Sequence, residues 1–579
     1  MKSIPYKILL GITLVLGACA KNIEKIPLEL NTLEYIFDKD DSLGVNAERF
    51  LSGVYYTVPK GFNRVGSDIL DAATDDAVSS AIGSNDVYML ATGGYSSSAF
   101  PSGENFWSTG YAGIRKANIF ITNIDVVPLN KMVAPGYPKK HAYKAEARFI
   151  RALMYFELLK RYGGVPIVGD AVRDLEDDVQ LPRNSFQECV DYIVSECNQI
   201  KDSLRTLAQT RATGEYHSVT KGACLALKAR VLLYAASPLF NGQNIEAGND
   251  KTGYTSYDAN RWKLAADAAK ELIGRNEYSL VPELFSDIFI TVDGMNGKTN
   301  KEVIFVREES QSKGLEVNNA PVGFSPGTAN GITSPTQELV DAFPMKNGLG
   351  INDTASGYDI GNPYENRDPR LGMSVFYNGH FWLGTQLETF EGGRSHPNTL
   401  NVETRTSYYM RKFLGPFETT NNFADVYHDY ILFRYAEVLL NFAEAQNEFA
   451  GPDDDVFQAL KDLRKRAGIE AGDDDMYGLK ADKTRDKTKE EMRTLIRNER
   501  RIELAFEEHR FWDIRRWRIA ETVANTPLHG MSIVKGSSGR LTYSKTQVFT
   551  PVFKTMQYLY PIPYDEVVKN PKMVQNPGW

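Results

Sequence analysis

The sequence predicts a mainly α fold, in which paired helices form a scaffold and loop-rich insertions sit on it. Three observations carry this. Apolar residues recur at helical spacing in several long stretches. Alanine-rich stripes let neighbouring helices approach closely. Between those stretches, residues 58–106 and 275–428 are rich in Gly, Ser, Asn and Thr and hold few long amphipathic runs.

In chain order, helices over about 43–57 and 107–125 form a first, weaker pair. Ala145, Phe149, Leu153, Phe156 and Leu159 share one face of a helix over 142–162. Arg148, Arg151, Lys160 and Arg161 add charge around that face, and Gly163-Gly164-Val165-Pro166 stops the helix. Its partner covers 185–205. Ala223, Ala226, Ala229 and Leu233 lie near one face of a helix over 218–236, which pairs with 258–274. Helices at 429–449 and 456–467 make the next pair, and a last long helix covers 490–520. Antiparallel pairs of this kind resemble tetratricopeptide units, although insertions break the regular period of about 34 residues. The two insertions read as loops, short strands and short helices, where function usually resides.

The N-terminus has a different character. Lys2 and Lys7 precede an apolar run from Ile8 to Leu16, which makes a basic region followed by a short hydrophobic one. That run is too short to span a bilayer, which takes roughly 20 residues. Leu16-Gly17-Ala18-Cys19 follows at once and resembles a lipobox: a branched residue, two small ones and the cysteine whose thiol takes the lipid. Residues 1–18 are therefore expected to be a lipoprotein signal peptide, with Cys19 the lipid-bearing residue. Residues 19–42 would be anchor and tether, and 43–579 a single domain. Within it the scaffold covers about 43–57, 107–274 and 429–520.

Composition narrows the function. Hydrophobic content of 42% and charged content of 24% read as globular. The net charge of −8, more negative still without Lys2 and Lys7, argues against a nucleic-acid partner, whose phosphates favour a basic surface. Past Cys19 only Cys189, Cys197 and Cys224 remain, too few for a disulfide framework. No later stretch is apolar enough to be transmembrane. Tyrosine (30) and phenylalanine (29) are plentiful, which suits a protein that presents aromatic surface.

Several blocks together resemble the SusD/RagB family of outer-membrane nutrient-binding lipoproteins. They are WSTGYAGIRKANIFITNID (107–125), EARFIRALMYFELLKRYGGVPIV (146–168) and TKGACLALKARVLLYAASPLF (220–240). Then come the Pro335–Phe343 and Asn366–Leu371 segments, FRYAEVLLNFAEAQNE (433–448) and NERRIELAFEEHRFWDIRRW (498–517). Tyr560-Pro561-Ile562-Pro563 and Gln575–Trp579 close the chain. The resemblance implies four tetratricopeptide-like helix pairs with an irregular, ligand-facing part packed on them. It implies a lipid anchor on the outer face of the outer membrane. It also implies a partner, a SusC-like TonB-dependent barrel that the protein covers as a lid, delivering glycans or other oligomeric nutrients.

The residues themselves carry little sign of catalysis. There is no HExxH, GxSxG, P-loop or paired CxxC, and the seven histidines are scattered, so no cofactor or metal is expected. Asp71, Asp75 and Asp76 offer a carboxylate pair of the kind glycoside hydrolysis uses, but among 74 acidic residues a close pair is expected by chance. The charged block at 498–517 reads as a scaffold salt-bridge network, with Glu499, Glu503 and Glu507 pairing along the helix with Arg500, Arg510 and their neighbours, in preference to an anion site on His509. Arg367-Asp368-Pro369-Arg370 reads as a turn whose arginines brace nearby loops. A surface hydrolase and a peptide-binding assembly protein are the rival functions.

A sugar presents C–H faces and hydroxyl edges, matched by flat aromatic rings beside amide or carboxylate groups. Two loop regions hold that mixture. One has Asn63, Asp75, Tyr95, Phe100 and Asn105, and the other Phe324, Tyr377, Asn378, Phe381 and Trp382. Trp382, in a stretch bearing Gly and Asn, is the best single candidate.

Overall fold

The architecture comes from a computed structural model. The structure describes residues 32–579, apart from 82, 84, 135–136, 174–176, 178–179, 282–287, 290–299, 325–330, 398–402, 416, 418–422 and 481–486. Cys19 and the signal segment lie outside the described residues.

Among the described residues the paired scaffold is built from α1 (Val45–Tyr55), α2 (Trp107–Asn123), α3 (Lys139–Tyr162), α4 (Phe186–Ile200), α5 (Lys221–Ala236), α6 (Asn260–Ile273), α7 (Tyr435–Ala450) and α8 (Asp454–Ala467). They pack as the four pairs α1/α2, α3/α4, α5/α6 and α7/α8. Each pair also touches the next, with α2 against α3, α4 against α5 and α6 against α7. The starts are written locally. Ser185 Oγ accepts the Glu188 amide at 3.1 Å while Glu188 returns a bond to the Ser185 amide at 2.7 Å, a reciprocal cap at the head of α4. Thr220 Oγ1 and Asp453 Oδ1 take the third-residue amides of α5 and α8 in the same way. Alanines at 223, 226 and 229 are buried in α5, as the close packing of its neighbours demands.

Helix α3 is enclosed almost all round, with Phe149, Leu153, Phe156 and Leu159 in the core. It also buries Glu146, Arg151, Glu157 and Arg161, each with an opposite charge. Burying such groups unpaired would be costly; Glu157 pairs within the helix, while Glu146–Arg205, Arg151–Glu196 and Arg161–Glu104 fix how α3 sits among its neighbours.

The insertions return to the scaffold through sheet contacts. Strand β1 (Val303–Arg307) pairs antiparallel with β4 (Tyr430–Arg434), which leads directly into α7. The helix expected over 429–449 therefore begins as a strand. Residues Tyr430-Ile431-Leu432-Phe433 favour the pleated state, and β1 supplies the partner from more than a hundred residues away. A small hairpin, β2 (Phe381–Trp382) and β3 (Thr385–Gln386), stands in the second insertion. Helical periodicity gives no hint of the longest strands, β5 (Leu528–Lys535) and β6 (Leu541–Phe549), which form a hairpin near the C-terminus.

The long helix expected over 490–520 is two: α9 (Lys489–Glu503) and α10 (His509–Arg516). Between them Phe506 and Glu508 take left-handed backbone angles, φ 64° and 63°. The break turns three glutamates inward. Glu503 accepts from Arg370 at 2.9 Å, Arg434 at 2.7 Å and also Arg466. Glu499 takes Arg370 at 2.7 Å and Arg464 at 2.8 Å. Glu507 takes Arg434 and Lys412, each at 2.7 Å. The network is real, but its partners come from distant segments, not from one helix turn away as expected. Arg500 instead reaches Asp513 at 2.7 Å, and Arg510 reaches Asp75 at 2.8 Å. Arg367 donates to the Val340 and Phe343 carbonyls, bracing loops as expected, whereas Asp368 caps a helix at Pro369–Ser374 and clamps the buried Arg370.

Candidate ligand-binding face

The hairpin β2/β3 is where the second insertion presents an aromatic ring. Leu383 and Gly384 occupy its two-residue turn with φ 48° and 71°, the left-handed pair that matches strand twist and that glycine tolerates without strain. Side chains alternate along a strand, so two adjacent aromatics part company. Trp382 turns inward: it is 6% exposed, stacked on Phe324 at 5.7 Å and tilted against Phe376 at 5.1 Å and Phe423 at 5.9 Å. Phe381 turns outward and is 64% exposed.

Opposite Phe381 in register stands Gln386, also exposed. Its amide nitrogen donates to the Gly379 carbonyl at 3.1 Å, which fixes the side chain beside the ring. The exposed Arg394 donates to the Gln386 carbonyl at 2.5 Å and lies 5.3 Å over the buried Phe324 ring. Behind the hairpin, Tyr377 stacks on Tyr364 at 4.3 Å and meets His380 at 5.0 Å. Burial, aided by the Arg411 charge, lowers His380 to about 4, so its imidazole is neutral at physiological pH. Its buried Nδ1 has no hydrogen-bond partner among the described residues. Asn378 is committed to the Thr389 amide at 2.9 Å. The outer face of the hairpin thus offers one flat apolar ring and an amide, with the Arg394 guanidinium over Phe324 and a neutral imidazole behind. That is chemistry for a hydroxylated ring, with no strong nucleophile in place.

Of the sequence candidates, Phe324, Tyr377, Phe381 and Trp382 are brought together here, but only Phe381 is a surface ring. Trp382 and Phe324 are corrected to core positions: the pleat turns Trp382 inward, and Phe324, in a loop, is fully buried beneath it. The first loop group does not assemble into a face. Asp75 is buried and held by Arg510 at 2.8 Å and Arg501 at 3.0 Å. Burial opposes its charge, but the two guanidinium groups outweigh that and keep the carboxyl well below its ordinary range. Tyr95 is buried against Trp579 (5.2 Å) and Phe100 (5.2 Å), and Phe100 leans on Tyr560 at 4.8 Å. These aromatics fasten the C-terminal segment to the scaffold. Asn63 is half-buried with φ 56°, a turn residue. Gln386, Arg394 and His380 belong to the face and were not singled out. The signal that could have found them is the Phe-Trp-Leu-Gly-Thr-Gln hairpin pattern, which also separates Phe381 from Trp382.

His509 is half-buried beside Arg500. Burial and the surrounding cations hold it far below its ordinary pKa, so its imidazole is neutral. Cys189, Cys197 and Cys224 are free and buried. Among the described residues no group of three or more His, Cys, Asp or Glu is placed to hold a metal ion, and no helix is long and apolar enough to cross a membrane.

Comparison with known proteins adds independent findings. A family model described as the SusD family matches residues 301–579, and a second, described as starch-binding associating with outer membrane, matches 40–233. A SusD-like protein of Formosa agariphila is 24% identical over 488 residues, covering 81% of this chain and 78% of its own. A crystal structure of a SusD-like protein from Bacteroides fragilis superposes with a TM-score of 0.72 at 27% identity, covering 93% of this chain and 98% of that one. A second Bacteroides fragilis structure, of a SusD-like carbohydrate binding protein, gives 0.72 at 22% identity, with coverage of 92% and 99%.

Proposed function

The chain belongs to the SusD/RagB family, and on that premise we propose that it is a cell-surface glycan-binding lipoprotein and the lid of a SusC-like TonB-dependent barrel. The observation that carries the ligand class is Phe381, a 64%-exposed aromatic ring paired across the hairpin with the exposed Gln386 amide. Exposed rings of this kind lose little conformational entropy on binding, and their apolar area suits the C–H face of a sugar. The carbohydrate-binding neighbour supports the same class.

In this reading Cys19 carries the lipid, and the tether is shorter than the 19–42 expected, because Phe37 is already buried against Phe50 and Phe120; the folded body acts as one binding unit on the outer face of the outer membrane. Fully extended, the chain from Cys19 to Thr32 reaches about 45 Å, enough to let the body swing over a barrel while staying anchored. The protein binds and hands over its ligand without cleaving it. Asp75 and Asp76, the carboxylate pair that hydrolysis would need, are buried and committed to Arg501 and Arg510.

Capture of the native lipoprotein from solubilised outer membranes tests the partnership: a large barrel protein should copurify. Protease shaving of intact cells tests orientation, with loss of the protein expected. A protein that is captured alone and is protected in intact cells would refute the lid reading.

A further inference from the structure

A second cleft lies on the scaffold itself, between α1, the start of α3, the loop 214–218 and the end of β1. Its volume of about 400 Å³ falls within the ~300–1,000 Å³ of small-molecule sites, and it shares no residue with the hairpin face. At its rim Tyr56 is 71% exposed, and the Arg307 guanidinium lies 5.0 Å from the centre of its ring.

The charges of the cleft are already balanced. Glu48 takes Lys131 at 2.9 Å and the Tyr143 hydroxyl at 2.9 Å. Glu146 takes Arg205 at 2.7 Å and the Tyr55 hydroxyl at 2.8 Å. Glu215 takes Lys139 at 2.6 Å as well as Arg205. His217 sits between Glu308 at 3.5 Å and Asp429 at 3.4 Å. An added cation or anion would have to break one of these pairs, so the lining favours an uncharged occupant.

Some polar atoms of the lining lack a hydrogen-bond partner among the described residues, Arg307 Nε and Nη2 and His217 Nε2 among them. Arg307 is 6% exposed; its Nη1 donates to the Val58 carbonyl, and its Nε lies 2.8 Å from Glu309 as an ion pair without the alignment of a hydrogen bond. Its Nη2 is buried without a hydrogen-bond partner among the described residues. A buried donor left unmet is costly, and a small shift of the side chain would bring it to an oxygen of an occupant and offset that cost. An exposed ring, a buried donor without a partner and carboxylate oxygens with remaining lone pairs meet the requirements of a neutral polyhydroxylated ring.

We propose that this cleft is a second saccharide subsite, taking one or two neutral sugar units by stacking on Tyr56 and donation from Arg307. The proposal rests on the glycan-binding reading and adds a site on the scaffold, away from the hairpin.

Saturation-transfer NMR with maltose, cellobiose, laminaribiose and lactose as probes tests it on the wild-type protein, Tyr56→Ala and Phe381→Ala. At least one disaccharide should give a signal that persists in Phe381→Ala and binds at least about fivefold more weakly to Tyr56→Ala, about 1 kcal/mol of lost stacking. Thermal melting of Tyr56→Ala should match the wild type, since the ring is exposed, which separates lost binding from lost folding. A disaccharide signal unchanged in Tyr56→Ala overturns the subsite. No disaccharide signal from a protein that still retains polysaccharide also overturns it and leaves the main reading standing. Retention of neither disaccharide nor polysaccharide overturns both.

Discussion

Phe381 and Trp382 are neighbours in sequence, yet one ring stands in solvent and the other in the core. Composition drew attention to the tryptophan, because large aromatics in polar loops are conspicuous. The pleat decides otherwise, and it follows from the turn at Leu383-Gly384, which places the hairpin and fixes its register. Two outcomes follow. Trp382→Ala should cost about 3–5 kcal/mol, the range for removing a buried large aromatic, read as a lowered urea midpoint. Phe381→Ala should leave stability within about 0.5 kcal/mol, as surface changes do, while weakening polysaccharide retention in native affinity gels. Asp75 teaches a related lesson. Its sequence neighbourhood suggested a catalytic or ligand-binding acid, but Arg501 and Arg510, more than four hundred residues away, bury and claim it. A pairing across that distance leaves no local trace.

Among the elements, helices with apolar periodicity and a clear stop or cap, Gly163 after α3 and Asp453 before α8, were legible to within three residues. The α3 helix, expected over 142–162, spans Lys139–Tyr162, and α8, expected over 456–467, spans Asp454–Ala467. What escaped was non-local. The strand β4 was read as helix because its register lies with β1 across the second insertion. The break at 504–508 leaves no sequence signal because Phe506 and Glu508 are not turn-forming residues; Glu508 is held from outside, its amide donating to Asp71 at 3.0 Å and its carboxylate pairing with Arg64. Arg434 is the hub there, touching Glu302, Glu503 and Glu507 at 2.7–2.8 Å. Removing one member leaves buried carboxylates uncompensated, so Arg434→Ala should destabilise by about 3–5 kcal/mol in equilibrium unfolding.

For the whole molecule, this charged interior sets the response to pH. Burial opposes ionisation of Glu104 and Glu444, but the guanidinium groups of Arg161 and Arg64, and of Arg516, outweigh it and hold both carboxyls down at about 2. A carboxyl whose folded pKa is depressed contributes stability above its unfolded value of 4.5 and loses it as pH falls toward 2. Melting temperature should therefore drop steeply across that interval. Asp68 works the other way: burial raises it to about 7 from 3.8, so its contribution weakens as pH rises through that range. Asp68→Asn, which keeps shape and removes the charge, should raise the melting temperature more at about pH 8 than at about pH 4. The helix pairs and the family resemblance were readable from the sequence over nearly the whole chain, and Phe381 was among the rings it offered. Which ring faces outward was not readable, because that depends on how an insertion folds back on a scaffold. The most direct measurement is isothermal titration of the intact protein and Phe381→Ala with a panel of purified polysaccharides. At least one polysaccharide should bind the wild-type protein, and the substitution should weaken that binding by about tenfold, or 1.4 kcal/mol. Binding to none of them, or equal binding by Phe381→Ala, would contradict a glycan receptor built on this face.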